Sequence, residues 1–178
     1  MQLFLIRGLV AIAWAAVFAA VSGSLTTDVT VAAGILLVIY PLIDVAASLI
    51  DAQSQRGSAR RPLLAGAAVS ALVAAALAVA ATGSVADVLA VFGVWALLSG
   101  TAQFVVALRR RAQFGIQLPM LLAGVGSIGF GIAFISASTG ADPLLNGLAI
   151  YAAGGGIDFV AQAWLLARRR RRLAAVPA

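Results

Sequence analysis

The chain contains no cysteine, histidine, lysine or glutamate; its twelve cationic residues are all arginine and its six anionic ones all aspartate. Each absence closes a class of chemistry. Without cysteine there is neither a disulfide nor a thiolate metal site. Without histidine there is no imidazole to move protons near neutrality or to ligate a metal, and without lysine no Schiff base. What remains is aspartate, serine, threonine, tyrosine and arginine, with no Gly-x-Ser-x-Gly elbow and no phosphate loop. We therefore expect no catalytic residues, no resident metal and no cofactor. Abundant alanine, valine and arginine beside the missing lysine point to a bacterial genome rich in G and C.

Charge of either sign is scarce, and hydrocarbon takes its place. The 178 residues are 63% hydrophobic and 10% charged, with a mean hydropathy of +1.08. That much apolar surface does not fit inside one small water-soluble core. Six apolar runs, 3–21, 29–50, 62–82, 88–108, 118–138 and 143–167, are each long enough to cross about 30 Å of hydrocarbon as a helix. The expectation is an all-α polytopic bundle forming one transmembrane domain over 1–178. Its hairpins span 3–50, 62–108 and 118–167, and an arginine-rich tail covers 168–178. The first run, with Arg7 near its start followed by an apolar stretch and small residues near Ala19 to Ser22, also has the look of an export signal. An internal repeat that begins within it argues that it is retained.

The arginines fix the expected orientation. Arg7, Arg56, Arg60, Arg61, Arg109 to Arg111 and Arg168 to Arg172 all fall on one side of the six runs, which the positive-inside rule assigns to the cytoplasm. Both termini are then cytoplasmic, in a bacterial inner membrane. The opposite loops carry Asp28, Asp87 and Asp142. These read either as N-caps of the even-numbered helices, with Pro143 at a first helical position, or as an outward acidic ring that collects cations. The formal charge of +6 comes from juxtamembrane arginines without interleaved aromatics. That pattern suits anionic lipid headgroups at Arg109, Arg110, Arg111, Arg168, Arg169, Arg170, Arg171 and Arg172 and the C-terminal dipoles of helices, not base stacking. The expected partners are the lipid bilayer and either a second copy or another membrane protein. Nucleic acid is not among them.

Repetition is the strongest internal signal. Leu5 to Gly8, Leu63 to Gly66 and Leu121 to Gly124 share one short pattern at intervals of 58 residues. On the alternate runs Tyr40 with Asp44, Ser99 with Gln103, and Asp158 with Gln162 recur at intervals of 59, each pair four residues apart and so on one helical face. Three hairpins entering from the same side are parallel repeats, expected around a pseudo-threefold axis along the membrane normal. If the even-numbered helices line that axis, the six side chains surround one polar interior in the cytoplasmic half.

Leu5 to Ile12 (Leu-Ile-Arg-Gly-Leu-Val-Ala-Ile), Val94 to Gln103 (Val-Trp-Ala-Leu-Leu-Ser-Gly-Thr-Ala-Gln) and Ser127 to Ile132 (Ser-Ile-Gly-Phe-Gly-Ile) resemble the short repeats of the HdeD-like membrane proteins. The resemblance spans nearly the whole chain. It implies a six-helix bacterial inner-membrane protein linked to acid and stress resistance, without assigning a molecular activity. The repeat is uneven: Tyr40-Pro41 stands where the second copy has Ser99-Gly100, and Phe159 stands in place of that glycine in the third.

Ionised carboxylates are costly inside a bilayer. Asp158 lies roughly 15 Å inward of Arg168, and Asp44 about 10 Å inward of Asp51, at 1.5 Å per residue. Arg7 is at a depth comparable with Asp44. It either forms a structural ion pair with Asp44 or snorkels to the headgroups. Asp158 has no equally deep arginine. It is either a protonatable group or a neutral acid hydrogen-bonded to Gln103, Gln162 or a backbone carbonyl. Gly124, Ser127 and Gly131 share a face suited to close helix packing. Gly154 to Gly156 serve the same end or break the sixth helix to expose carbonyls. Trp14, Phe92, Trp95, Tyr151 and Trp164 are read as lipid-facing or interhelical filling.

Two functions follow. One is a non-enzymatic membrane-organising or interaction component. The other binds or passes protons, ions or a small solute through the polar interior. A packed axis at Asp158 favours the first and a hydrated one the second.

Overall fold

Helix is the only way these apolar runs can satisfy their own backbone in hydrocarbon, and the described residues form six of them. The computed structural model describes residues 2–23, 25, 27–114, 118–141 and 143–174, with the side chains of 58, 110, 112–114 and 169–174 excepted. The elements are α1 Gln2–Ser22, α2 Val31–Ser54, α3 Arg60–Ala80, α4 Val85–Phe114, α5 Leu118–Ser138 and α6 Asn146–Ala174. All six are long and apolar enough to cross a membrane. The protein is therefore an all-helical, multi-pass membrane bundle. Among the described residues the nearest thing to a strand is an isolated bridge between Asp28 and Ser84.

The helices overrun the apolar runs at the arginine end. There α4 continues to Phe114 and α6 to Ala174, since arginine and leucine are good helix formers and water receives the charged face. A single 3-10 turn, Gly57–Ala59, joins α2 to α3, and Gly57 supplies the positive φ of 64° at its start. At the opposite end the caps differ from the sequence expectation. Thr30, not Asp28, caps α2, its Oγ1 accepting from the Ala33 amide at 3.3 Å. Ser84 precedes α4, and Asp87 sits one turn inside it. The Asp87 carboxylate accepts from the Ser84 amide (2.9 Å) and hydroxyl (2.7 Å), while Ser84 Oγ accepts from the Asp87 amide (3.2 Å). This reciprocal capping box satisfies two free amides where a lone cap satisfies one. Asp28 instead joins the bridge that ties the α1–α2 connection to the α3–α4 connection, alongside a Val85 amide to Thr27 carbonyl bond of 3.0 Å. Asp142 lies outside the described residues.

The most extensive packing is α4 on α5, α1 on α6, and α2 on α3; α1–α2, α3–α4 and α5–α6 touch far less. The consecutive hairpins are thus loose, and tight pairing occurs between neighbouring hairpins, with α6 returning to α1. Glycine explains two of the tight pairs. A Cβ on Gly131 would stand 2.6 Å from the Leu97 amide and 2.8 Å from the Gly93 carbonyl, and one on Gly100 2.7 Å from the Gly124 carbonyl. Across α1 and α6, a Cβ on Gly8 would meet the Gly156 carbonyl at 2.7 Å. Backbones this close gain dispersion contacts that lipid tails cannot match. Gly66, the third member of the 58-residue series, has nothing within 4 Å of where its Cβ would be. The small buried residues of α2 and α3 are Ala47, Ala67, Ser70 and Ala74 instead, and the Ser70 hydroxyl crosses to Asp44 at 2.8 Å.

Side-chain size divides the core along its length. The fully enclosed large residues, Phe18, Leu37, Leu77, Val85, Val88, Leu89, Phe92, Leu145 and Leu148, all lie at mid-bundle or toward the aspartate-bearing loops. Toward the arginine end the buried side chains shrink to alanine and serine, among them Ala47, Ser48, Ala52, Ala67, Ser70, Ala107 and Ala163.

Candidate functional site

Six rings from five helices meet at mid-bundle. Tyr40 of α2 lies 6.0 Å from Phe92 of α4 and 5.7 Å from Trp95, and against Trp14 of α1 at 4.4 Å. Phe92 in turn meets Tyr151 of α6 edge-on at 5.6 Å and Phe134 of α5 at 5.9 Å. Such tilted and edge-to-face contacts each add to the area they bury. Tyr151 shares a 3.3 Å hydroxyl contact with Ser127 of α5, and the Trp14 indole N–H donates to the Leu36 carbonyl at 2.8 Å. Leu36 lies one residue before Leu37, whose usual helical donor is removed by Pro41 inside α2. The rings form a septum across the bundle. Sequence reading had placed Trp14, Phe92, Trp95 and Tyr151 only as filling; no periodicity links rings contributed by five separate helices.

The polar residues stand below this septum, toward the arginine end. Ser99 and Gln103 follow Phe92 by seven and eleven residues, and Asp158 and Gln162 follow Tyr151 by the same intervals, so each lies within about 20° of its ring's direction. Asp44 and Asp51 follow Tyr40 by four and eleven. The exposed apolar side chains of α4, Val94, Leu98 and Val105, occupy the other side of the helix. Asp44, Asp51, Ser99, Gln103, Asp158 and Gln162 are half-buried, whereas Tyr40, expected to line the same polar interior, stands among the rings with Phe92 and Trp95.

Their partners differ. Asp44 Oδ1 accepts from Arg7 Nη2 at 2.5 Å, and its Oδ2 from the Ser70 hydroxyl of α3 at 2.8 Å. The second guanidinium nitrogen of Arg7 lies 3.6 Å from Asp51 Oδ2, and the plane of Arg7 covers the Phe159 ring at 4.7 Å. One arginine of α1 thus engages α2 and α6, while Asp44 adds α3. Asp158 has a different setting. Its Oδ2 accepts from Gln162 Nε2 one turn on, at 2.5 Å, and among the described residues no cation lies within ion-pair distance of it. Among the described residues, Ser99 and Gln103 make no side-chain hydrogen bond. Ser22 Oγ is the one enclosed side-chain polar atom left without a partner among the described residues.

Two sequence readings are corrected here. Helix α6 runs unbroken through Gly154, Gly155 and Gly156, so these glycines expose no loosened carbonyls. Gly156 instead takes the close approach to α1, where a Cβ would meet Ile12 Cγ1 at 2.7 Å. It also occupies the role of Gly100, which contacts Ile128 of α5 as Gly156 contacts Ile12. The interval is 56 residues, not the 59 that aligned Gly100 with Phe159. Relative to that alignment the lateral face of α6 is displaced by about one turn.

Outside the septum, Arg168 stacks over the exposed Trp164 ring at 3.7 Å. A shallow groove of about 280 Å³ on α5 is lined by Gly126, Gly129, Phe130 and Ala133. Gly124-Val125-Gly126-Ser127-Ile128-Gly129 has the glycine spacing of a dinucleotide loop, but it lies inside α5 with Gly124 against α4. It therefore lacks the strand-to-helix turn that such chemistry requires. The side chains of Arg110 and Arg169 to Arg172, named as headgroup contacts, lie outside the described residues. In comparisons with known proteins, the chain matches no family model, no curated protein and no solved structure.

Proposed function

We propose that the protein is a non-enzymatic, non-conducting component of a bacterial inner membrane, with both termini cytoplasmic. It organises the membrane or holds a partner, either a second copy of itself or another membrane protein. The observation that carries this reading is the ring septum. Interlocked aromatics at mid-bundle, backed by fully enclosed leucines and valines, leave the axis packed where a pathway has to be hydrated. The resemblance to HdeD-like proteins supports the same reading and suggests a role under acid or other stress. Arginines at one end suit the anionic headgroups of the cytoplasmic leaflet, and Trp164 beneath Arg168 fits an interfacial anchor.

Reconstitution in liposomes tests it. Under an imposed pH or ion gradient, vesicles containing the protein should dissipate the gradient no faster than empty ones. Flux that requires the protein contradicts the reading and favours passage along the polar interior. Asp158→Asn and Asp44→Asn then identify the carboxylate on which that passage depends.

A further inference from the structure

The outward face of α6 ends in a polar anchor. Arg168 is the last residue of the apolar span Asn146–Arg168, so it stands where hydrocarbon gives way to headgroups. Its guanidinium lies over the Trp164 ring, 3.7 Å from the centroid, and Trp164 is itself 52% exposed. The other two tryptophans, Trp14 and Trp95, are buried among the septum rings. Stacking on an indole holds a guanidinium by its face and leaves its N–H edge free to donate. Among the described residues no carboxylate lies within ion-pair distance of Arg168. Counting back from it in steps of four and three, Trp164, Ala161, Ile157 and Gly154 fall on one helical face, and all four are exposed. Gly156 and Tyr151 direct other faces of α6 to α1 and to the rings, which leaves this one to the bilayer. From Trp164 to Gly154 it runs for about 15 Å at 1.5 Å per residue.

We infer that this face of α6 docks one anionic phospholipid of the leaflet at the arginine end, its phosphate on Arg168 and an acyl chain laid along Trp164, Ala161, Ile157 and Gly154. Charge selects the occupant. A phosphodiester accepts from two guanidinium N–H groups at once, whereas a zwitterionic headgroup brings its own cation toward the arginine and gains less. Length agrees with charge, since about 15 Å is the hydrocarbon depth of one leaflet, so a chain anchored at Arg168 ends near Gly154. A free phosphate shares the headgroup chemistry but gains nothing from the apolar face. This names the lipid behind the headgroup contact proposed above and rests on that part of the reading alone, not on the bundle being closed to ions.

Quenching of tryptophan fluorescence by brominated lipid tests the inference, because Trp164 is the one tryptophan of the three that is exposed. The purified full chain is reconstituted in phosphatidylcholine vesicles carrying a minor fraction of phosphatidylglycerol or of phosphatidylcholine whose acyl chains are brominated near the headgroup. The phosphatidylglycerol form is expected to reach half-maximal quenching at a mole fraction about fivefold lower, the preference that one interfacial arginine confers. Arg168→Gln should erase that preference, and Trp164→Phe the lipid-dependent quenching itself. Arg109→Gln, which removes the same charge from the same end of the bundle, should retain the preference, as should wild type with glycerol phosphate in the buffer. The helical circular dichroism of each variant, matched to wild type, shows that a loss is local. Equal quenching by the two lipids, a preference that survives in Arg168→Gln, or an equal loss in Arg109→Gln overturns the site. Reversal by glycerol phosphate overturns its being a lipid site. Both leaflets of the vesicles hold the same lipids, so the result does not depend on which way the arginine end faces, and gradient dissipation in liposomes bears separately on the closed bundle.

Discussion

Arg7 is engaged at once by Asp44, Asp51 and the face of Phe159, and Asp44 in turn accepts from Ser70. A guanidinium suits this position because its planar fork donates to two carboxylates while its face stays free for a ring. Removing one partner leaves the other charge part-buried and uncompensated, which costs more than the pair itself contributes. Arg7→Gln is therefore expected to lower unfolding stability by about 1–3 kcal/mol, between the values for exposed and enclosed pairs. Asp44→Asn on that background should cost less than it does alone, a non-additivity that a double-mutant cycle in denaturant titrations reads directly. Additive losses would mean that the two residues act independently. The sequence contained this partnership as one of two options, because depth and hairpin membership are legible in a linear chain. The contributions of Asp51, Ser70 and Phe159 were not legible, since they depend on the azimuth of three further helices.

At the scale of elements, close approach decides where glycine is required. The three glycines at intervals of 58 residues look equivalent in sequence, but Gly8 and Gly124 face backbone within 3 Å of a new Cβ, and Gly66 faces open space. Gly124→Ala and Gly8→Ala are expected to separate paired helices and destabilise by about 1–3 kcal/mol. Gly66→Ala should be neutral or stabilising by up to about 1 kcal/mol, since it only raises helix propensity. Thermal or denaturant midpoints of the three variants check this; three equal losses would contradict the pairing described. The same scale shows what periodicity concealed. Six spans were readable from apolar length alone, and their ends shifted chiefly at the arginine end, where α4 and α6 run on past the apolar residues. The lateral register of α6 was hidden because the 59-residue interval follows the inward face. Rotation and sliding of one helix against its neighbour leave no mark in residue spacing. Gly154 to Gly156 invited a break that α6 does not make, because Gly156 is used for contact with α1.

The whole molecule is polarised twice over. Its arginines gather at one end and the described loop aspartates at the other, and its core passes from large apolar side chains to small and polar ones in the same direction. The first gradient was fully legible in the sequence. The second was half legible: the polar stripe showed in the four-residue pairs, but the septum that closes it did not. The second gradient depends on one claim, that Ser99 and Gln103 face inward beneath closed rings. A chain without cysteine is well suited to testing this by single substitutions and a membrane-impermeant thiol reagent in intact and inverted vesicles. Ser99→Cys and Gln103→Cys should react only with reagent supplied at the arginine end, while Leu98→Cys and Val105→Cys, facing lipid, and Val88→Cys, beyond the septum, should stay silent from both sides. Reaction at Leu98→Cys and Val105→Cys with silence at Ser99→Cys and Gln103→Cys, or modification of Ser99→Cys from the aspartate end, would contradict the account.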